Sequence, residues 1–479
     1  MLPQFSKVNP LPSALLTAML LAALGLTGCG GSSSSNSQSS PPPPPAQNST
    51  VQINIGDAPS DRVVAFATNI TSMALNNSKG TTASIISSST PVEMMRLAGT
   101  MQPVNVLTIP QGTYTGASIT MASMSVTYMD PISRIIVQKT VAGPITTNVP
   151  FSPNMTLGST PMVLSFDMDM ANSISINGSG NVTVTPAFRT VMNSVGSGSG
   201  NDPENGFMEH LVGSVASTSG NNFGMSMMQS SQPLTFTTSS STQFVNIGGM
   251  GMMSNGELVM VDAMLQSDGS IQAQTVQWFM GNGGAMTDGI VGSVTGTPAA
   301  QMGMVVQNGS GQGMNSSFLS NNATVNPGGG TVYGMNSEGI DMSNLPFTPM
   351  FDANHIYPGA CVRCFSSSGM GSGGMGGMGG GGMMGSMNAS ECDLVQQGFL
   401  GTVSNYSSSG GQGTFTMTLA SDSYFATMTG MNTLMVYQQL GTKLLGLTSI
   451  SNGQTVEVRG LVFNDGGVFR MVASRILNP

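Results

Sequence analysis

The side chains able to do chemistry are few and lie far apart along this chain. Histidine occurs twice, at His210 and His355. A Ser-His-Asp triad or a histidine-bound metal needs one of them among close partners, and no flanking motif supplies these. His210 precedes a short β-like run, and His355 sits in a polar loop. Asp167 and Asp169 alternate along one strand face, a spacing that can hold calcium, but a solvated strand face accounts for them equally well. Asp57, followed by Ala58-Pro59, reads as a turn residue whose carboxylate caps nearby backbone N–H groups. The pattern points away from an enzyme and asks for no cofactor.

The thiols and thioethers say more. Cys361-x-x-Cys364 is half a zinc site or a redox pair, yet zinc needs four ligands and only Cys392 remains for it. A redox pair opens a helix, whereas Gly359 to Cys364 reads as a strand. Residues three apart on a strand face opposite ways, so Cys361 and Cys364 do not pair easily. If Cys364 ends one strand and Cys392 begins the next, antiparallel pairing sets their α-carbons about 5.5 Å apart, within disulfide range. Cys361 then stays a buried thiol. A shifted register would link Cys361 to Cys392 instead. Between these cysteines runs a Gly/Ser-rich loop, 369–387, carrying Met370, Met375, Met378, Met383, Met384 and Met387. Thioethers suit Cu(I) or Ag(I). Against that, the chain holds 42 methionines, so methionine also serves here as a general apolar filler.

The fourth cysteine has a different setting. Lys7 and the apolar run from Leu15 to Leu26 resemble a secretory signal, too short to span a bilayer. Leu26-Thr27-Gly28-Cys29 follows, and is similar to the lipobox of bacterial lipoproteins. The resemblance implies cleavage before Cys29, a diacylglycerol on its thiol and a stable membrane anchor. Gly30 after the cysteine implies the outer membrane in a Gram-negative cell. Gly30 to Thr50 is a Ser-rich and Pro-rich tether, with Pro41 to Pro45 a stiff rod.

Composition narrows the rest. Charged residues make up 7% and the net charge is −9, which leaves no electrostatic means of gripping a nucleic acid. Sixty-four glycines and 26 prolines favour turns over helices. Val51, Ile53 and Ile55 alternate with polar residues, and Leu164, Phe166, Met168 and Met170 alternate with Ser165, Asp167 and Asp169. Such alternation predicts antiparallel sheets with one buried and one wet face. The expected fold is all-β: a β-sandwich over 51–192 and a linker over 193–207, then three small OB-like barrels over 208–280, 289–398 and 399–479.

An internal repeat carries the barrel expectation. Gly213-Ser214-Val215, Gly292-Ser293-Val294 and Gly401-Thr402-Val403 open the copies. Gly256 to Val261, Gly359 to Cys364 and Gly453 to Val458 supply a later strand, and Glu391 to Gln397 closes the second copy. The 51–192 region, through Asp57-Ala58-Pro59, Gly112-Thr113-Tyr114 and Phe166-Asp167, resembles an uncharacterised domain family of bacterial lipoproteins. The repeats resemble a second uncharacterised family of small tandem β domains. Neither resemblance implies an activity. The sequence thus leads to a lipid-anchored, non-enzymatic envelope protein with a binding or structural role. Its expected partners are the membrane, through the anchor, and a cell-wall or extracellular polysaccharide or another envelope protein. Copper or silver binding in the Met/Gly loop is the alternative.

Overall fold

Val51, Ile53 and Ile55 put their side chains into one apolar core from the first strand, Asn48–Ala58. A computed structural model describes residues 47–196, 203–337, 339–372 and 385–479. Cys29, and with it Met375, Met378, Met383 and Met384, lies outside the described residues. The first strand is central in a four-stranded sheet, between Met162–Asp169, which runs parallel to it, and Met101–Pro110, antiparallel; Phe188–Ser194 completes the far edge. A second sheet is built on Val63–Asn77 and Gly112–Met129, with Thr82–Ile86, Thr90–Glu93, Ile136–Val141 and Ile145–Leu157 beside them. The two sheets close over one core, making a sandwich.

The polar alternates of the first strand are not wet. Gln52 and Asn54 are fully buried; Asn54 Nδ2 donates to Pro203 O at 3.1 Å, and Gln52 Nε2 donates to Asn54 Oδ1 at 2.9 Å. Ser165 on the neighbouring strand is buried with them. The face expected to meet water is covered by the chain that follows the sandwich.

Three units with five main strands come next, all with one strand order; the first two each add a short strand on the closing strand, Gln243–Val245 and Gly371–Ser372. In the last, Gln397–Ser409, Gln412–Thr418, Thr433–Leu445, Val468–Leu477 and Thr455–Asp465 close a barrel in the order 1-2-3-5-4. Strand three runs parallel to strand five there. Phe207–Ser219, Asn222–Ser226, Leu234–Thr237, Leu258–Leu265 and Ile271–Met280 repeat this order, as do Ala285–Thr295, Gln301–Gly311, Asn322–Met335, Cys361–Ser366 and Gly385–Leu394.

The register shows which residues correspond. Gly213 faces Val259, Gly289 faces Val362 and Gly401 faces Val456. Two residues on, Val215, Val291 and Val403 exchange backbone bonds with Gly256-Glu257, Gly359-Ala360 and Gly453-Gln454. The second copy therefore opens at Gly289-Ile290-Val291, three residues before Gly292-Ser293-Val294. Its closing strand lies at Gly385–Leu394, earlier than the expected Glu391 to Gln397. At each opening glycine a Cβ would meet the neighbouring strand: 2.5 Å from Ser226 O at Gly213, 2.0 Å from Val305 O at Gly289, and 2.5 Å from Met417 Cγ at Gly401. The strand turns a barrel corner there, and only a residue without a side chain lets the backbones approach.

A threonine closes each barrel in the same way. Thr242, Thr331 and Thr442 accept from the backbone N–H three residues earlier and donate to Ala273, Ala389 and Ala473 O on the closing strand, at 2.7 to 2.8 Å. Strand three is interrupted at this point, and the hydroxyl supplies the partners that the broken ladder lacks.

Candidate functional site

Of the twelve basic residues of the chain, four arginines, Arg96, Arg363, Arg459 and Arg475, collect where sandwich and barrels meet. Arg96 sits in the 3-10 turn Met95–Leu97. That turn is built on Glu93, whose carboxylate accepts N–H bonds from Phe66, Met95 and Arg96 at 2.8, 3.2 and 2.9 Å. Arg459, from strand four of the third barrel, donates through Nη1 to Ala98 O at 2.6 Å and to Arg96 O at 3.4 Å. Gly398 packs so closely beneath this turn that a Cβ there would lie 2.7 Å from Ala98 Cβ. Arg475 donates to Gly99 O and Thr100 Oγ1, at 3.3 and 3.0 Å, and pairs with Glu209 of the first barrel.

Glu209 and His210 reach this place through a bulge. Pairing between Phe207–Ser219 and Leu258–Leu265 slips between Met208 and Leu211, and His210 takes a left-handed φ of 51°. Its backbone N–H donates to Asp262 Oδ1 at 2.7 Å. Bulges of this kind re-aim side chains, and here they turn inward to the junction.

Sandwich and barrels together line one cleft of about 60 Å³, with Arg96, Glu209, His210, Asp288, Arg363, Gln397 and Arg459 among its walls. Arg363 is buried and donates through Nη2 to Asp288 Oδ2 at 3.2 Å, while Nη1 meets only the sulfur of Met260 at 3.8 Å. Several buried polar atoms here have no protein partner: Arg96 Nε, Arg363 Nε, Asp288 Oδ1 and both side-chain atoms of Gln397. Arg363 and Asn336 also line an adjoining cavity of about 290 Å³, beside Phe279, Gln277 and Asp393.

A second group is acidic. Asp57, Asp167 and Glu457 line a neighbouring cavity with Arg475. Asp57 caps no backbone N–H group. It is buried, and neither carboxylate oxygen has a hydrogen-bond partner, because the first strand runs on through Asp57, whose backbone bridges to Ala98. Burial, and then the negative charge of Asp167, push its acid well above the usual carboxylate range. Burial also raises Glu457 to about 8 and Asp167 to about 6. Asp169 leaves this group: it caps the helical turn Met170–Ser173, accepting from Asn172 N at 3.1 Å. Among the described residues, no three His, Cys, Asp or Glu side chains are arranged to hold a metal ion.

Cys364 and Cys392 face each other in antiparallel register and are joined by a disulfide, their α-carbons 4.1 Å apart. This is the short spacing of a pair without mutual hydrogen bonds rather than the wider 5.5 Å. Cys361 is a free, buried thiol that burial pushes up to about 12. Met370 and Met387 are buried in the apolar core of the second barrel. His355 Nδ1 lies 2.8 Å from Asp352 Oδ1 in a turn, far in sequence from His210 and outside the cleft. The cleft itself is not evident from motifs. Its trace in the sequence is the placing of arginine inside apolar strands, in Cys361-Val362-Arg363-Cys364 and Val456-Glu457-Val458-Arg459, where a charge is costly unless something pairs with it.

Two family models match this chain. Residues 48–186 match a domain of unknown function (DUF4382), and residues 212–277 match another domain of unknown function (DUF5666). The first match falls on the sandwich and the second on the first barrel. Each covers less than half of the chain. No curated protein matches. Among solved structures, the wild-type single-stranded DNA binding protein from Thermus aquaticus matches at 10% identity, over 41% of this chain and 92% of its own. Its TM-score of 0.15 carries no argument.

Proposed function

We propose that this chain is a lipid-anchored protein of the cell envelope, attached through Cys29, whose sandwich and barrels act together as one non-catalytic binding body. The observation that carries the binding role is the composite cleft. Arg96 comes from the sandwich, Glu209 and His210 from the first barrel, Asp288 and Arg363 from the second, and Gln397 and Arg459 from the third. A junction that only had to hold would be apolar or fully paired, whereas this one keeps buried donors and acceptors without protein partners. The thiol in its wall is held protonated at neutral pH, which removes it as a nucleophile. The anchor reading rests on Leu26-Thr27-Gly28-Cys29 at the end of a short apolar run. The partners that suit such a protein are a cell-wall or extracellular polysaccharide or another envelope protein.

Fractionation tests the anchor. Wild-type protein is expected in detergent-extractable membranes, and Cys29→Ser in an uncut or soluble form. If Cys29→Ser still partitions with the membrane at the wild-type level, the anchor reading fails. A binding screen of the lipid-free body against neutral and acidic polysaccharides tests the second half, and its failure leaves the anchor untouched.

A further inference from the structure

The junction cleft runs against the charge of the whole molecule. The chain carries a net −9, yet three guanidinium groups, Arg96, Arg363 and Arg459, line this one cavity, with Arg475 directly behind. The carboxylates in the cleft wall are Asp288, bonded to Arg363, and Glu209, paired with Arg475; Asp393 lies beyond Arg363, and Asp57, Asp167 and Glu457 lie beside Arg475 in the neighbouring cavity. Glu93 lies behind Arg96, with its oxygens taken up by three backbone N–H groups. In the lining of the cleft itself three guanidinium groups face two carboxylates, so positive charge is in excess there, in a largely buried space where repulsion is weakly screened. An anion in the cleft would relieve that repulsion.

The unpaired atoms say what kind of anion. Arg96 Nε, Arg363 Nε and Gln397 Nε2 are donors, and Gln397 Oε1 and Asp288 Oδ1 are acceptors. A sulfate offers acceptors only and would leave the last two unmatched. A carboxylate with a neighbouring hydroxyl accepts from the donors and donates one hydrogen bond to one of the acceptors; a second hydroxyl, as on a sugar acid, supplies the other. Planar guanidinium groups also suit a planar carboxylate. The cleft is within reach of solvent, since Arg96, His210, Asn336, Gln396 and Arg459 are all part-exposed. Beyond Arg363 the adjoining cavity of about 290 Å³ has Phe279 and Gln277 on its walls, a surface suited to a sugar ring.

We propose that the cleft binds a hydroxy-carboxylate, its carboxylate held by Arg96, Arg363 and Gln397 Nε2 and its hydroxyl donating to Asp288 Oδ1 or Gln397 Oε1. This deepens the binding role above and does not depend on the anchor. The carboxylate belongs either to a small free hydroxy acid or to a sugar acid whose ring occupies the outer cavity.

Calorimetric titration of the full-length protein in detergent tests this, with lactate, glucuronate, glucose and sulfate as probes. At least one of the two acids is expected to bind with one site per chain, with glucose and sulfate at least about tenfold weaker. Lactate without glucuronate assigns the site to a free acid; glucuronate binding assigns it to a sugar acid. Gln397→Leu is the informative variant, because this side chain has no partner to lose and its strand pairing with Gly460 is made by the backbone. It is expected to keep or raise the melting temperature and to weaken the acid about tenfold or more. Gln397→Glu is expected to abolish binding by setting one carboxylate against another. Absence of heat with both acids overturns the proposal, as does undiminished affinity in Gln397→Leu or sulfate binding as tight as the acids.

Discussion

Glu457, Asp57 and Glu93 sit where a carboxylate is hardest to ionise. Burial raises Glu457 and Glu93 to about 8 and Asp57 well above its ordinary value. In the unfolded chain the same acids titrate near 3.8 to 4.5. Below that range both states hold the protons. As pH rises, the unfolded chain releases them first, so the folded state loses relative stability until its own values are passed. The melting temperature is therefore expected to fall between about pH 5 and pH 8.5, which scanning calorimetry in matched buffers would read. Glu457→Gln removes one such acid and is expected to flatten that slope, adding on the order of 2 kcal/mol at pH 8.5. An unchanged slope would show that Glu457 ionises freely in the folded protein. At Cys361 the expectation is chemical: iodoacetamide labels it in urea but not in the native protein at neutral pH, because the thiolate is both scarce and covered.

At the scale of the element, the barrel corners and the clamp of the second barrel carry the argument. Gly289→Ala would place a methyl group 2.0 Å from Val305 O, a backbone atom that cannot move without breaking the strand pair. The expected cost is about 3 kcal/mol or more. Gly328→Ala, at the interruption of the third strand of the same barrel where nothing lies within 4 Å, should stay within about 0.5 kcal/mol. Urea titrations of the two variants make the comparison, and equal midpoints would refute the corner assignment. The disulfide joins residues 28 apart in sequence, so reducing it should cost about 3 to 4 kcal/mol in the chain-entropy model. The midpoint with and without reductant, in a Cys361→Ala background, measures that.

For the molecule as a whole, the decisive feature is a core shared by the second and third barrels, beside separate cores in the sandwich and the first barrel. One apolar cluster runs through the second and third barrels and takes in Val64, Ala65 and Met129 of the sandwich. Tyr357, from the second barrel, donates through its hydroxyl to Val462 O at 2.9 Å and packs on Phe425 and Phe469 of the third. Phe347 likewise packs on Tyr437 and Phe463. Units that share a core unfold together. Calorimetry of the body, residues 46–479, should show one dominant transition, and a fragment over 397–479 should melt well below it because Phe425, Phe463 and Phe469 lose their cover. Separate transitions of similar size for each barrel would contradict this.

The sequence alone determined the strands, their all-β class and the repeat, because alternation, turn glycines and the Gly-x-x-Val spacing act over a few residues. It marked Cys364, Cys392 and Cys361 through the opposite facing of residues three apart. It did not determine which polar faces stay wet. Gln52, Asn54 and Ser165 read as solvated alternates, yet the first barrel and the segment leading into it cover them, and Asp57 read as a turn cap yet lies within the junction. Local pattern shows which side of a strand is polar; whether water or another module meets that side depends on packing between residues more than a hundred positions apart. The cleft has the same origin. Arg96, Glu209, Asp288, Arg363, Gln397 and Arg459 share no local spacing, and only the closing of the barrels around the sandwich makes them neighbours.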